Sequence, residues 1–389
     1  MGALLSTARG LPGADKPVKV MVVDDSVVIR GLIGRWLEAD KDIEVVASHR
    51  HGRAAVEDIN RSNPDVVVLD IEMPEMDGME ALPLLLKARP GVVVIMASTL
   101  TRRNAEISLR ALSLGASDYI PKPETTSQVT TSIDFRREVV EKVKNLGRRS
   151  GVAGNQPRAM TALTRSSVKS VQTAPARAMP KRADSALKTR SYATVPPRII
   201  AIGSSTGGPQ ALAKLVAEIG PAMSRVPVVI TQHMPATFTT ILAEHLAKAS
   251  NRPAAEAVDG EVLRGGQIYV APGGLHLSLI EKAGQTTAKL SDGPQINFCK
   301  PAVDPLFESV AKIYGAASLA IVLTGMGADG ANGVKVLGAA GASVIAQDEA
   351  SSVVWGMPGA AANTGQCSEI LPLDAIGPKT VRILSGVRL

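Results

Sequence analysis

Two kinds of apolar run alternate along this chain. Short β-branched runs bounded by polar residues fall at 19–24 (KVMVVD), 43–48 (IEVVAS), 65–71 (DVVVLDI), 92–98 (VVVIMAS) and 118–122 (DYIPK). Amphipathic runs such as 27–39 (VVIRGLIGRWLEA) and 78–88 (GMEALPLLLKA) separate them. Strands that are apolar almost throughout require cover on both faces, which predicts βα repeats around a parallel sheet. A last helix is expected over 127–147, carrying EVVEKVKNL.

The same rhythm returns later. Strands are predicted at 198–204, 227–233, 267–272, 318–325 and 342–347, with helices over 209–219, 237–249, 304–315, 330–339 and 379–386. Residues 276–281 and 288–292 alternate across a glycine-containing connection and predict an added antiparallel hairpin. Both blocks therefore read as doubly wound α/β. Between them, 148–197 shows no period of 2 or 3.6 and is rich in Ser, Thr, Ala, Pro and Arg, so a flexible linker is expected. The expected organisation is a disordered 1–17, a first domain over 18–147, the linker over 148–197 and a second domain over 198–389.

Charge sharpens that division. The net charge is +7, yet residues 148–198 hold eleven Lys/Arg against one acid, which leaves the remainder at −3. Basicity belongs to the linker, and a nucleic-acid-binding domain is not indicated. The two cysteines, Cys299 and Cys367, form no CxxC pair, so a disulfide framework is excluded and a cytoplasmic location is expected. No run reaches the ~20 apolar residues of a membrane span, so no membrane insertion is expected.

In the first block, carboxylates fall at strand ends: Asp24 and Asp25 after the first strand, Asp70 closing the third. In a parallel sheet these ends share one edge. Three acids gathered there repel one another unless a cation neutralises them, and oxygen-only ligands suit Mg²⁺. A hydroxyl (Ser98 or Thr99) and the ammonium of Lys122 end the next two strands, placed to hold a phosphoryl group on Asp70. With VVDDS, LDIEMPEMDG, MAS and DYIPKP in order, residues 18–140 resemble the response-regulator receiver domain, a flavodoxin-like doubly wound parallel sheet. The resemblance implies that Asp70 takes phosphate from a histidine kinase of CheA type, and that the main-chain carbonyl of Glu72 joins Asp24, Asp25 and Asp70 around Mg²⁺. It also makes Ser98 the switch hydroxyl, Lys122 the phosphate partner and Tyr119 the aromatic switch.

In the second block, AIGSSTGGPQ (201–210) fits both a nucleophile elbow at Ser205 and, loosely, a dinucleotide-binding turn. The second reading weakens because Ser205 stands where the fingerprint requires glycine, and no acid ends the following strand. A serine needs a base and an orienting carboxylate. His233 ends a strand at the same edge and is the best base, with His276 still open and His245 placed mid-helix. Asp329 sits in the glycine-rich turn of LTGMGADG, where Met326 N–H is a candidate oxyanion donor.

The motifs IAIGSSTGGP, QHMP, YVAPGGLHL and LTGMGADGANG make 197–389 similar to the catalytic domain of the chemotaxis protein-glutamate methylesterases. That resemblance implies Ser205 as nucleophile, His233 as base and Asp329 as its orienter, with Thr206 and Met326 supporting. It implies methylated chemoreceptors as substrate, glutamine deamidation as a second activity, no cofactor in this domain, and control by the receiver. The competing classes are a DNA-binding response regulator and a receiver joined to a nucleotide-dependent enzyme. The first lacks a helix-turn-helix pattern, and the second lacks the dinucleotide fingerprint.

Overall fold

A computed structural model describes residues 16–122, 133–153 and 187–386. The expectation for 1–17 falls almost wholly outside them. The first domain runs β1 (Val18–Val23), α1 (Val27–Glu38), β2 (Ile43–His49), α2 (Gly52–Ser62), β3 (Val66–Asp70), α3 (Gly78–Ala88), β4 (Val93–Thr99), α4 (Arg102–Ser113), β5 (Asp118–Lys122) and α5 (Ile133–Ala153). Its sheet is wholly parallel, in the order β2-β1-β3-β4-β5. Period-2 alternation splits each strand between two cores. Val20 and Val22 pack with α1 and α5, whereas Met21 and Val23 pack with α2 to α4.

The second domain runs β6 (Ile199–Ser204), α6 (Gly208–Ile219), β7 (Val228–Gln232), α7 (Ala236–Ser250), β8 (Ala254–Glu256) and β9 (Ile268–Val270). The hairpin β10 (His276–Lys282) and β11 (Gln285–Ser291) follows, then α8 (Val303–Tyr314), β12 (Ser318–Val322), α9 (Ala331–Ala339), β13 (Ser343–Gln347), α10 (Gly356–Asn363), β14 (Glu369–Leu371) and α11 (Leu373–Leu384). Seven strands form a second parallel sheet ordered β14-β13-β12-β6-β7-β9-β8, and β10-β11 forms the expected antiparallel pair. Both doubly wound α/β blocks stand as read. Among the described residues no helix is long and apolar enough to cross a membrane.

The expected linker differs at both ends. Helix α5 continues past residue 147 to Ala153, since each added residue of a formed helix gains a hydrogen bond. Residues 187–197 lie on the second domain. Arg190 N–H donates to Cys367 O (2.9 Å), Tyr192 hydroxyl to Glu369 Oε2 (2.6 Å) and Ala193 N–H to Ser343 Oγ (3.0 Å). Polar composition hid these pairings, because each is made to a partner 150 or more residues away. The stretch between lies outside the described residues.

The two domains are in contact. The Tyr119 ring stacks on Phe238 of α7, with centroids 4.6 Å apart and planes 8° from parallel. Arg102 of α4 pairs with Glu244 of α7 at 2.7 Å, and the Arg137 guanidinium lies 4.1 Å over the Phe298 ring.

Candidate active site

The phosphoacceptor edge forms as the strand order requires. Carboxylate oxygens of Asp24, Asp25 and Asp70 lie within 4.8 Å of one another. Lys122 Nζ reaches Asp70 at 2.7 Å and Asp24 at 3.2 Å. Burial pushes the Asp70 carboxyl up to about 7; Lys122 opposes this and the Asp24 charge adds to it. Two buried carboxylates that share one ammonium, with the exposed Asp25 beside them, make an all-oxygen donor set that fits Mg²⁺. Glu72 lines the same small cavity as Asp70, Ser98 and Lys122. The Ser98 hydroxyl is paired with Ser108 at 2.8 Å, while Thr99 accepts from Asn104.

Across the second sheet, β12, β6 and β7 are neighbours. Their C-terminal loops, far apart in sequence, therefore emerge side by side, and these loops carry Asp329, Ser205 and His233. Backbone bonds lock them together: His233 N–H donates to Ser204 O (3.1 Å) and Ser205 N–H to Thr324 O (3.0 Å). Gln232, buried, donates from Nε2 to Ser205 O (2.9 Å) while its Oε1 accepts from Ser204 Oγ (2.7 Å). Thr324 Oγ1 donates to Thr206 O (2.9 Å). Glycine is needed twice. Gly207 turns the chain at φ +72°, and a Cβ on Gly325 would stand 2.9 Å from Ser205 Cβ.

Asp329 Oδ2 lies 2.7 Å from His233 Nε2. The same carboxylate accepts from Val303 N–H (2.6 Å) and Asp304 N–H (3.3 Å), the first turn of α8, and from Asn297 Nδ2 (3.2 Å). Helix α8 has no side-chain cap of its own; Asp329 supplies that anion from another loop. Burial works to raise the Asp329 pKa, but the His233 bond and these donors outweigh it and lower it. With Nε2 on a carboxylate, Nδ1 is the nitrogen left for proton transfer.

That nitrogen is engaged elsewhere. His233 Nδ1 lies 3.3 Å from Cys299 Sγ, and Ser205 Oγ makes no hydrogen bond to the imidazole. Burial disfavours the imidazolium, yet the Cys299 sulfur and the Asp329 carboxylate prevail and raise His233 to about 10. Ser205, Thr206, His233, Cys299 and Met326 line one cavity of about 580 Å³. Its other wall is the receiver, through Tyr119, Arg137 and Lys142. Asn145 of α5 also donates to Met326 Sδ at 3.2 Å.

His276 is excluded as a base. Its Nδ1 accepts from Ala302 N–H (3.1 Å) and its Nε2 donates to Pro294 O (2.9 Å), so both nitrogens are spent on structure. His245 lies on α7, outside the cavity lining. Sequence reasoning missed Gln232, Asn297, Cys299 and Lys142. Gln232 was visible in "QHMP" beside the base; the others lie away from any strand's C-terminal end in that sheet.

Residues 200–380 match the CheB methylesterase family and residues 20–134 the response regulator receiver domain. A protein-glutamate methylesterase/protein-glutamine glutaminase of Bradyrhizobium diazoefficiens is 56% identical over 96% of this chain and 95% of its own. The chain belongs to the CheB methylesterase family. A second member, from Rhodopseudomonas palustris, is 57% identical over 96% of both chains. The CheB catalytic domain of Thermotoga maritima is 38% identical, matching 49% of this chain and all of that one with a TM-score of 0.47.

Proposed function

We infer that the chain hydrolyses γ-glutamyl methyl esters on chemoreceptor signalling helices, releasing methanol, and deamidates glutamine side chains by the same acyl chemistry. The observation that carries this is the His233–Asp329 pair at 2.7 Å on a cavity that Ser205 also lines. Ser205 Oγ attacks the carbonyl and His233 Nδ1 takes its proton, while Asp329 holds the resulting imidazolium. Met326 N–H and the Thr206 side of the cavity support the oxyanion. Water then frees the carboxylate by the reverse proton path.

The receiver governs this step. Asp70 accepts phosphate from a histidine kinase of CheA type, and Lys122 and Ser98 hold the phosphoryl oxygens. Bound to Asp24, Asp25, Asp70 and the Glu72 carbonyl, Mg²⁺ would supply charge neutralisation for that transfer. Turning Ser98 toward a phosphoryl group breaks its bond to Ser108. Tyr119, one strand away, is the stack on the catalytic domain. In the docked arrangement the receiver walls the Ser205 cavity through Tyr119, Arg137 and Lys142, so docking is the low-activity state and phosphorylation shifts the population away from it. The setting is the cytoplasm, where receptor signalling domains meet the kinase.

Methanol release from methylated receptor, with and without a small-molecule phosphodonor, tests both domains. Release that rises with phosphodonor supports the reading. No release from either sample overturns it.

A further inference from the structure

Aromatic residues are few in this chain, two Trp, four Tyr and four Phe, and all fall among the described residues. Every one but Phe298 is buried or half-buried, whereas Phe298 is 70% exposed and lines the Ser205 cavity. It stands on a two-residue turn in which Ile296 and Cys299 exchange backbone bonds of 3.1 and 2.9 Å, and its φ is +63°. A left-handed backbone disfavours phenylalanine, and an exposed ring gains little from burial, so stability accounts for neither. The turn is nevertheless tied to the catalytic loops. The Asn297 amide donates to Asp329 Oδ1 at 3.2 Å and to Asp304 Oδ2 at 3.4 Å. Phe298 is thereby fixed in place relative to the His233–Asp329 pair.

The group that covers this ring in the docked chain has the chemistry that suits it. Arg137 of α5 lays its guanidinium 4.1 Å from the ring centroid, well within cation–π range. Arg137, Glu141 and Asn145 are spaced by four and so share one face of α5. That face runs along the catalytic domain: Arg137 on Phe298, Glu141 lining the cavity with Ser205, and Asn145 donating to Met326 Sδ at 3.2 Å. A helix that brings a glutamate to the nucleophile's cavity, one turn after an arginine on Phe298, has the form of a hydrolysed substrate helix.

We propose that Phe298 is a specificity-determining residue that reads a cationic side chain one helical turn before the scissile glutamyl ester, and that Arg137 is its stand-in while the receiver is docked. The proposal rests on the hydrolase reading for its substrate. Its occupant is a receptor helix lying in the direction of α5, with Arg or Lys four residues ahead of the ester. An exposed cation–ring contact changes an equilibrium constant by roughly two- to fivefold. That is enough to rank several glutamates along one helix.

The test measures methanol release by the full chain, with phosphodonor, from stapled helical peptides that differ only four residues before a central γ-glutamyl methyl ester. That position is arginine or citrulline, which keeps arginine's shape without its charge. Expected is a kcat/KM roughly two- to fivefold higher for the arginine peptide. The preference should vanish in Phe298→Ala and return in Phe298→Tyr. A ratio taken within one variant does not depend on its folded or undocked fraction. Equal values for the two peptides in the wild type, a preference that persists in Phe298→Ala, or loss of all turnover in that variant overturns the proposal. Peptides left intact while methylated receptor releases methanol overturn it too, since a single helix would then not suffice for recognition. Without phosphodonor, Arg137→Ala should raise the rate on the citrulline peptide by a similar factor, and should add little in the Phe298→Ala background. Effects that multiply fully overturn the stand-in half. Absence of methanol from the peptides and from methylated receptor alike indicts the hydrolase reading instead.

Discussion

Replacing Tyr119 by leucine removes the ring that joins the receiver to α7 while keeping an apolar side chain in place. The stack on Phe238 is nearly parallel, at 4.6 Å between centroids, and such pairs contribute about 0.5–1.5 kcal/mol beyond the area they bury. Tyr119 is 4% exposed, so the change is a large-to-small one that costs up to a few kcal/mol in the receiver, and the melting transition of the variant is read beside its rate. If the docked state is the inhibited one, losing the stack multiplies the open fraction by roughly two- to twelvefold, by the factor of ten per 1.4 kcal/mol. The assay is methanol release by the unphosphorylated protein, and the Tyr119→Leu rate should rise by that factor. Phe238→Leu should do the same from the other side. The double variant should exceed neither single by much, because either change already abolishes the contact. Unchanged basal rates in both singles, or effects that multiply fully in the double variant, would refute the docking argument.

Three further outcomes are expected. Asp329→Asn removes the charge that steadies the imidazolium and leaves one acceptor oxygen where the carboxylate offers two to Val303 N–H and Asp304 N–H, so turnover falls by about 10²–10⁴-fold and the melting temperature falls with it. His233 is raised to about 10 with Cys299 and Asp329 as the causes; it must be neutral to act as base, so turnover of the docked chain climbs from pH 7 toward 10. Cys299→Ala should move that limb to lower pH, read from a pH–rate profile. Asp70, lifted by burial from 3.8 to about 7, binds its proton more tightly folded than unfolded. Its cost to stability is therefore absent below about pH 4 and complete above about pH 7, up to roughly 4 kcal/mol. Receiver stability without divalent cations should fall over that range, and millimolar Mg²⁺ should flatten the fall, as urea titrations at each pH would show.

Most of the fold was legible because parallel strands buried on both faces, such as VVVLD at 66–70, leave continuous apolar runs. The short edge strands β8 and β14 were not, since three residues carry no period. Helix α10 was missed because GMPGAAAN opens with two glycines and a proline among its first four residues; the buried contacts of Met357 and Ala361 hold it instead. The Ser205, His233 and Asp329 loops were readable as strand ends of adjacent strands. Cys299 was not, because a left-handed turn off the sheet edge brings it to the imidazole. The receiver wall of the cavity left no trace in the sequence either, for relative domain placement has no periodicity to read. His276 shows the converse: the sequence left it open, and two backbone partners closed it.

Ser205→Ala offers the most direct test of the hydroxyl–imidazole–carboxylate chain. Methanol release from methylated receptor, measured with phosphodonor present, should vanish while circular dichroism and the melting transition stay as in the wild type. Methanol release by that folded variant at a near-normal rate would contradict the account.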